Sequence, residues 1–120
     1  MVIDASATIA AVGDEAQTPR VREILRIVTR EGAMVPGLSP IEVANILLMM
    51  ERRARIDGDT RMRIAGQLEA LPIMVDPETA GRALGRISEW ATRHRLSLYD
   101  RCYLELSLRL GSVWQRSMRR

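Results

Sequence analysis

Three acids stand at positions where a carboxylate could do chemistry: Asp4 just after a short apolar run, Glu42 in the first turn of a long helical pattern, and Asp100 at the opening of the last one. Carboxylate oxygens suit hard divalent cations such as Mg²⁺, which keep several of their waters when bound. Acids converging from separate elements would therefore make a site for phosphodiester hydrolysis, where the ion positions and activates water and shields the phosphate. Each acid also has a plainer use. Ser39-Pro40-Ile41-Glu42 and Ser97-Leu98-Tyr99-Asp100 both have the Ser-x-x-acid form of a capping box, and Asp4 can cap a short helix starting at Ala5. Spacing alone favours capping for any one of them.

Other chemistries have less to work with. A lone Cys102 forms no internal disulfide, and with His94 the single histidine there is no ligand set for structural zinc. Nucleophilic catalysis of the Ser/His/Asp or Cys/His kind would need His94 as its base. That residue sits in the Arg-rich stretch TRHR, where it is expected to cap a helix C-terminus instead.

The pI near 10.0 suggests nucleic-acid binding, but the charge is unevenly placed. After Glu105 the chain carries Arg109, Arg116, Arg119 and Arg120 and no acid, a contribution of +4, and the residues up to Glu105 sum to −1. Basicity is thus a property of the tail. All 18 basic residues are arginine, and the densest cluster, Arg52, Arg53, Arg55, Arg61 and Arg63, reads first as a solvated helix surface and second as a contact for an RNA backbone or an acidic partner.

The elements that must position the acids follow from periodicity. Met1 to Ile3 reads as a buried strand, Ala5 to Val12 as a short helix ending at Gly13, and Pro19 opens a helix with Val21, Ile24, Leu25 and Val28 on one face. Ala33 to Val35 is a second strand, Ser39 to about Ile56 a long helix, Asp59 to Leu71 another, and Ile73 to Val75 a third strand. A helix after Asp76 and Pro77 carries Ala80, Leu84, Ile87 and Ala91 as its apolar stripe and ends near His94. The last runs from about Leu98 to Leu110, with Tyr99, Tyr103, Leu106 and Leu110 on one side, and stops at Gly111. Short apolar strands alternating with amphipathic helices predict one α/β domain over residues 1–120, a three-layer α/β/α sandwich with a small central parallel sheet. In such sheets the reactive crevice lies beyond the carboxyl ends of the strands, which is where Asp4 falls. No run of about 18 apolar residues occurs, as a membrane span requires, and no export signal is visible, so a soluble, cytoplasmic protein is expected.

Three segments carry a family resemblance: VIDASA, VPGLSPIEVANIL and RHRLSLYDRCYLEL. In order and separation they resemble successive motif regions of PIN-domain proteins, specifically the VapC-type toxin ribonucleases of bacterial toxin–antitoxin pairs, as far as Gly111. The resemblance implies that Asp4, Glu42 and Asp100 are Mg²⁺- or Mn²⁺-binding acids, that Ser6 is the small polar residue beside the first, and that the activity is endonucleolytic cleavage of RNA. It further implies a cognate antitoxin and a homodimer. Asn45, one turn after Glu42, can orient that carboxylate or be an amide bonded within the core. The Ile46 to Met50 stretch, apolar on many sides, suggests a dimer or antitoxin surface beyond the core.

The resemblance breaks at the end. PIN-domain proteins usually continue with a short strand and a Thr-x-Asp-like segment supplying a fourth acid or a neighbouring polar group. Here residues 112–120 read SVWQRSMRR, with Trp114 in the strand's place and Arg116 or Met118 where the carboxylate would stand. An arginine there would repel a metal while attracting phosphate. Two readings therefore stay open, an active endoribonuclease and a catalytically impaired PIN-like module that keeps protein binding. A phosphoacceptor signalling domain ranks below both, because its paired acids after the first strand are missing.

Overall fold

The computed structural model describes residues 1–12, 18–94, 97–112 and 114–115; the side chains of Ala91, Arg93, His94 and Gln115 lie outside this description, as do Gly13 and residues 116–120. The expected His94 cap and the Arg116 and Met118 positions are therefore not among the described features.

Strand β1, Val2–Ile3, splits its two side chains between the two faces of the sheet, as the period of a strand requires. Ile3 packs with Ala7, Ile24, Val28, Ala33 and Val35, joining β1 to α1 (Ala5–Ala10), α2 (Pro19–Glu31) and β2 (Ala33–Val35). Val2 packs on the opposite face with Tyr103 and Leu106 of α7 (Leu98–Leu110) and with Trp114 of β4 (Trp114–Gln115). Helices cover both faces, giving the expected three-layer sandwich.

The sheet order is β3-β2-β1-β4 and every pairing is parallel, with β3 at Ile73–Val75. The chain moves outward from β1 to β3 and then returns across β1 to β4, so a topological switch point falls between β1 and β4. A crevice opens beyond the carboxyl ends of neighbouring strands at such a point, and Asp4 follows β1 directly.

Several boundaries differ from the periodicity. The long third helix, α3, ends at Arg52 rather than Ile56, because Ala54 takes a left-handed φ of 55° and turns the chain towards α4 (Gly58–Glu69). The helix after β3 is divided into α5 (Thr79–Arg82), a π-helical stretch at Ala83–Ile87 and α6 (Ser88–His94). There the Ser88 hydroxyl donates to the Ala83 carbonyl at 2.6 Å across the widened turn. The expected stripe on α7 is also displaced. Tyr99 and Leu110 are exposed, and the buried side runs through Cys102, Tyr103 and Leu106, flanked by Arg101 and Glu105. Gly111 ends this helix in the left-handed region at φ 61°, where its lack of a Cβ removes the penalty.

Arg109 belongs to a buried network rather than to a solvated tail. Its guanidinium donates to Asp76 Oδ2 at 2.6 Å, to Glu105 Oε1 at 2.8 Å and to Glu78 Oε2 at 3.1 Å. Asp76 also accepts from the Thr79 hydroxyl at 2.8 Å, and Thr79 Oγ1 accepts from the Gly37 backbone N–H at 3.0 Å. One ion network thereby ties α7 to the ends of β3 and β2. Arg82 approaches Glu105 from α5, at 3.6 Å. Arg101, one turn before Glu105, is wholly buried and its guanidinium nitrogens find no hydrogen-bond partner among the described residues.

Burial pushes the Asp76 carboxyl up, but hydrogen bonds from Arg109, Thr79 and the Glu78 backbone outweigh it and hold it below the ordinary carboxylate value. The unfolded chain therefore takes up its proton first as pH falls, and this stabilisation, present above about pH 4, is lost as pH drops through and below that value. Replacing Arg109 by Met leaves Asp76 and Glu105 buried beside fewer cations and is expected to cost on the order of 3 kcal/mol at neutral pH. Urea denaturation at pH 7 and pH 3.5 checks this, with the gap between parent and variant narrowing at the lower pH.

Candidate active site

Asp4 emerges from β1 wholly buried, with extended backbone geometry (φ −87°, ψ 172°), and caps α1. Its Oδ1 accepts from the Ala7 backbone N–H at 2.8 Å, and its carbonyl accepts from the Thr8 hydroxyl at 2.7 Å. The capping expectation is correct for this residue, and so is its place directly after the first strand. Ser6 lies half-buried on α1, two residues further on.

Glu42 departs from expectation. The N-cap of α3 is Leu38 and makes no side-chain cap bond, so Ser39-Pro40-Ile41-Glu42 is not a capping box; Ser39 is the first helical residue. Glu42 Oε1 instead accepts from the Tyr103 hydroxyl of α7 at 2.7 Å. This bond joins α3 to α7 across 61 residues of sequence. Asn45 is exposed, which overturns the buried-amide reading, and the group observed to orient Glu42 is Tyr103.

Asp100 lies half-buried in the first turn of α7, one turn before Tyr103 on the same helix. Ser97 caps this helix as expected, its Oγ accepting from the Asp100 N–H at 3.1 Å. All three acids thus sit at helix N-termini, where the positive end of the helix dipole favours carboxylates.

Tyr103 is the centre of the cluster. Burial pushes its phenol far above the ordinary value; the Ser39 hydroxyl opposes the shift, and Glu42 and then Asp4 add to it. The phenol therefore stays a neutral donor, and the negative charges of Asp4 and Glu42 both bear on it. Its ring lies parallel to the Trp114 indole, with centroids 6.0 Å apart and planes 5° apart. Neither Tyr103 nor Ser39 carried a signal by type alone. Tyr103 read as part of an apolar stripe, and only its place one turn after Asp100 pointed towards the acids.

Cys102, beside Tyr103, is a buried thiol pushed up to about 11 by burial and by the nearby Glu105 and Glu42 carboxylates, so it makes a poor nucleophile. In the basic cluster, Arg61 pairs with Glu51 across the α3–α4 turn, while Arg52, Arg53, Arg55 and Arg63 are exposed.

The sequence profile of the PIN domain family matches residues 1–114. The chain belongs to the PIN domain family. A comparison with curated proteins finds no match. PIN domains are in general nucleases that use a divalent metal, so the acids after β1, in α3 and in α7 have a family chemistry to be weighed against their structure.

The donors fit a hard divalent cation in kind: the set is carboxylates with hydroxyls, without sulfur or imidazole. They are not gathered into a finished cage, since no group of three or more His, Cys, Asp or Glu side chains able to hold a metal occurs among the described residues. Glu42 accepts from the Tyr103 hydroxyl and the Asp4 charge bears on the same phenol, but the three acids do not form a metal-holding group among the described residues. Among the described residues no helix is long and apolar enough to cross a membrane.

Because Asp4 is a cap as well as an acid, its two roles can be separated. Asp4→Ala is expected to lose about 1 kcal/mol of stability with the cap, whereas Asp4→Asn keeps an acceptor at the same place and should stay within a few tenths of the parent. Thermal or urea denaturation of the two variants checks this.

Proposed function

We propose that this PIN domain is a VapC-type toxin, a Mg²⁺- or Mn²⁺-dependent endoribonuclease that acts through Asp4, Glu42 and Asp100 and is restrained by a cognate antitoxin. The observation that carries the reading is that Glu42 of α3 is held by the buried phenol of Tyr103, whose ring packs on Val2, two residues before Asp4, beside the β1–β4 switch point. Asp100 stands one turn away on the helix that carries that phenol. When bound, the cation would neutralise charge on the scissile phosphate and lower the pKa of attacking water. The chain's own residues hold the place for it. Asp4 is fixed by its cap bond, Glu42 is oriented by Tyr103, and Asp100 lies half-buried in the first turn of the helix that carries Tyr103. Ser6, half-buried two residues after Asp4, has a supporting role beside that acid.

The partner part of the reading rests on apolar surface. On α3, Ile41 is 74% exposed and Leu48, two turns later on the same side, is 41% exposed. On α7, Leu98 and Tyr99 are exposed as well. Such residues suit the hydrophobic face of an antitoxin helix or of a second copy in a homodimer, and a cytoplasmic setting goes with an RNA target.

A second reading has its own support: the three acids form no metal-holding group among the described residues, and the sequence has no acid after Glu105. On it the chain keeps the fold and its protein-binding surface without useful turnover.

A panel of structured RNAs incubated with Mg²⁺ or Mn²⁺ separates the two. Cleavage by the parent that Asp4→Asn lowers by a factor on the order of 100 supports the nuclease. Silence in the parent, with cleavage by a version given an acidic C-terminal segment, supports the impaired module. Silence in both contradicts the enzymatic reading.

A further inference from the structure

We propose that Tyr103 is a positioning residue of the acidic site, its hydroxyl holding the Glu42 carboxylate in place while the Trp114 ring holds Tyr103. The inference rests on the metal-dependent reading above and deepens it. Three observations combine. The Tyr103 hydroxyl donates to Glu42 Oε1 at 2.7 Å, so α7 fixes the carboxylate that α3 supplies. Tyr103 is wholly buried, so its hydroxyl cannot exchange this partner for bulk water. Its ring is stacked on Trp114, a residue of β4 that pairs directly with Val2 of β1, two residues before Asp4.

A continuous path therefore runs from β1 through β4 and the two rings to Glu42. The segment after α7, which supplies no acid in this chain, contributes by fixing an acid that α3 supplies. Partners that orient a carboxylate ligand in this way typically govern metal affinity by 10- to 100-fold without touching the ion.

The test is Mn²⁺ binding, followed by titration calorimetry, for the parent, Tyr103→Phe, Glu42→Gln and the double variant. The phenylalanine keeps the ring stack and most of the volume and removes only the donor. The expected result is that Tyr103→Phe, still folded by circular dichroism, binds Mn²⁺ about tenfold more weakly than the parent. In the Glu42→Gln background the same change should make no further difference. An unchanged Kd in folded Tyr103→Phe, or an equal loss in the Glu42→Gln background, overturns the positioning role while leaving the metal reading intact. Binding by the parent no tighter than by Asp4→Asn overturns the metal reading and the positioning role together.

Discussion

A phenol hydroxyl 2.7 Å from a carboxylate joins the helix after β2 to the helix before β4, and the acidic end of the sheet is organised around that bond. Burial is what gives it weight. In a low-dielectric surrounding an unpaired hydroxyl or carboxylate is costly, so each group holds the other in place more firmly than a surface pair would. The neighbouring Trp114 ring, the Val2 contact and the Asp4 charge then follow from where Tyr103 must sit.

The same helix, α7, is anchored twice, by different physics. Its Tyr103 and Leu106 side fills one apolar face of the sheet, and its Glu105 and Arg109 side is tied by ion pairs to Asp76 at the end of β3. Strands of two or three residues supply few ladder hydrogen bonds, so helix position cannot be set by the sheet alone. Side-chain anchors on both sides of α7 supply what the short strands lack.

Much of this was legible beforehand. Strands β2 and β3 and the span of α7 could be read because apolar runs and a clear 3.6-residue period stood between Gly and Pro stops. Asp4 and Ser97 could be read as caps because their type and spacing sufficed. The failures share a cause. Ser39 and Glu42 have the spacing of a capping box, but a long-range donor, Tyr103, outcompetes the local one, and no local pattern announces a partner 61 residues away. Arg109 looked like part of a basic tail because two of its three acids, Asp76 and Glu78, follow β3 and lie distant in sequence, and only Glu105 is local. Asn45, by spacing a partner for Glu42, points outward because the buried side of α3 runs through Ser39 and Leu47.

The most direct measurement is a crystal structure with Mn²⁺ recorded at the manganese absorption edge. A single anomalous peak between Asp4 and Glu42, with the Tyr103 bond kept and Asp100 turned towards the ion, is the predicted result. A peak at the Asp76–Glu78–Glu105 cluster, or none near Asp4, would contradict the account.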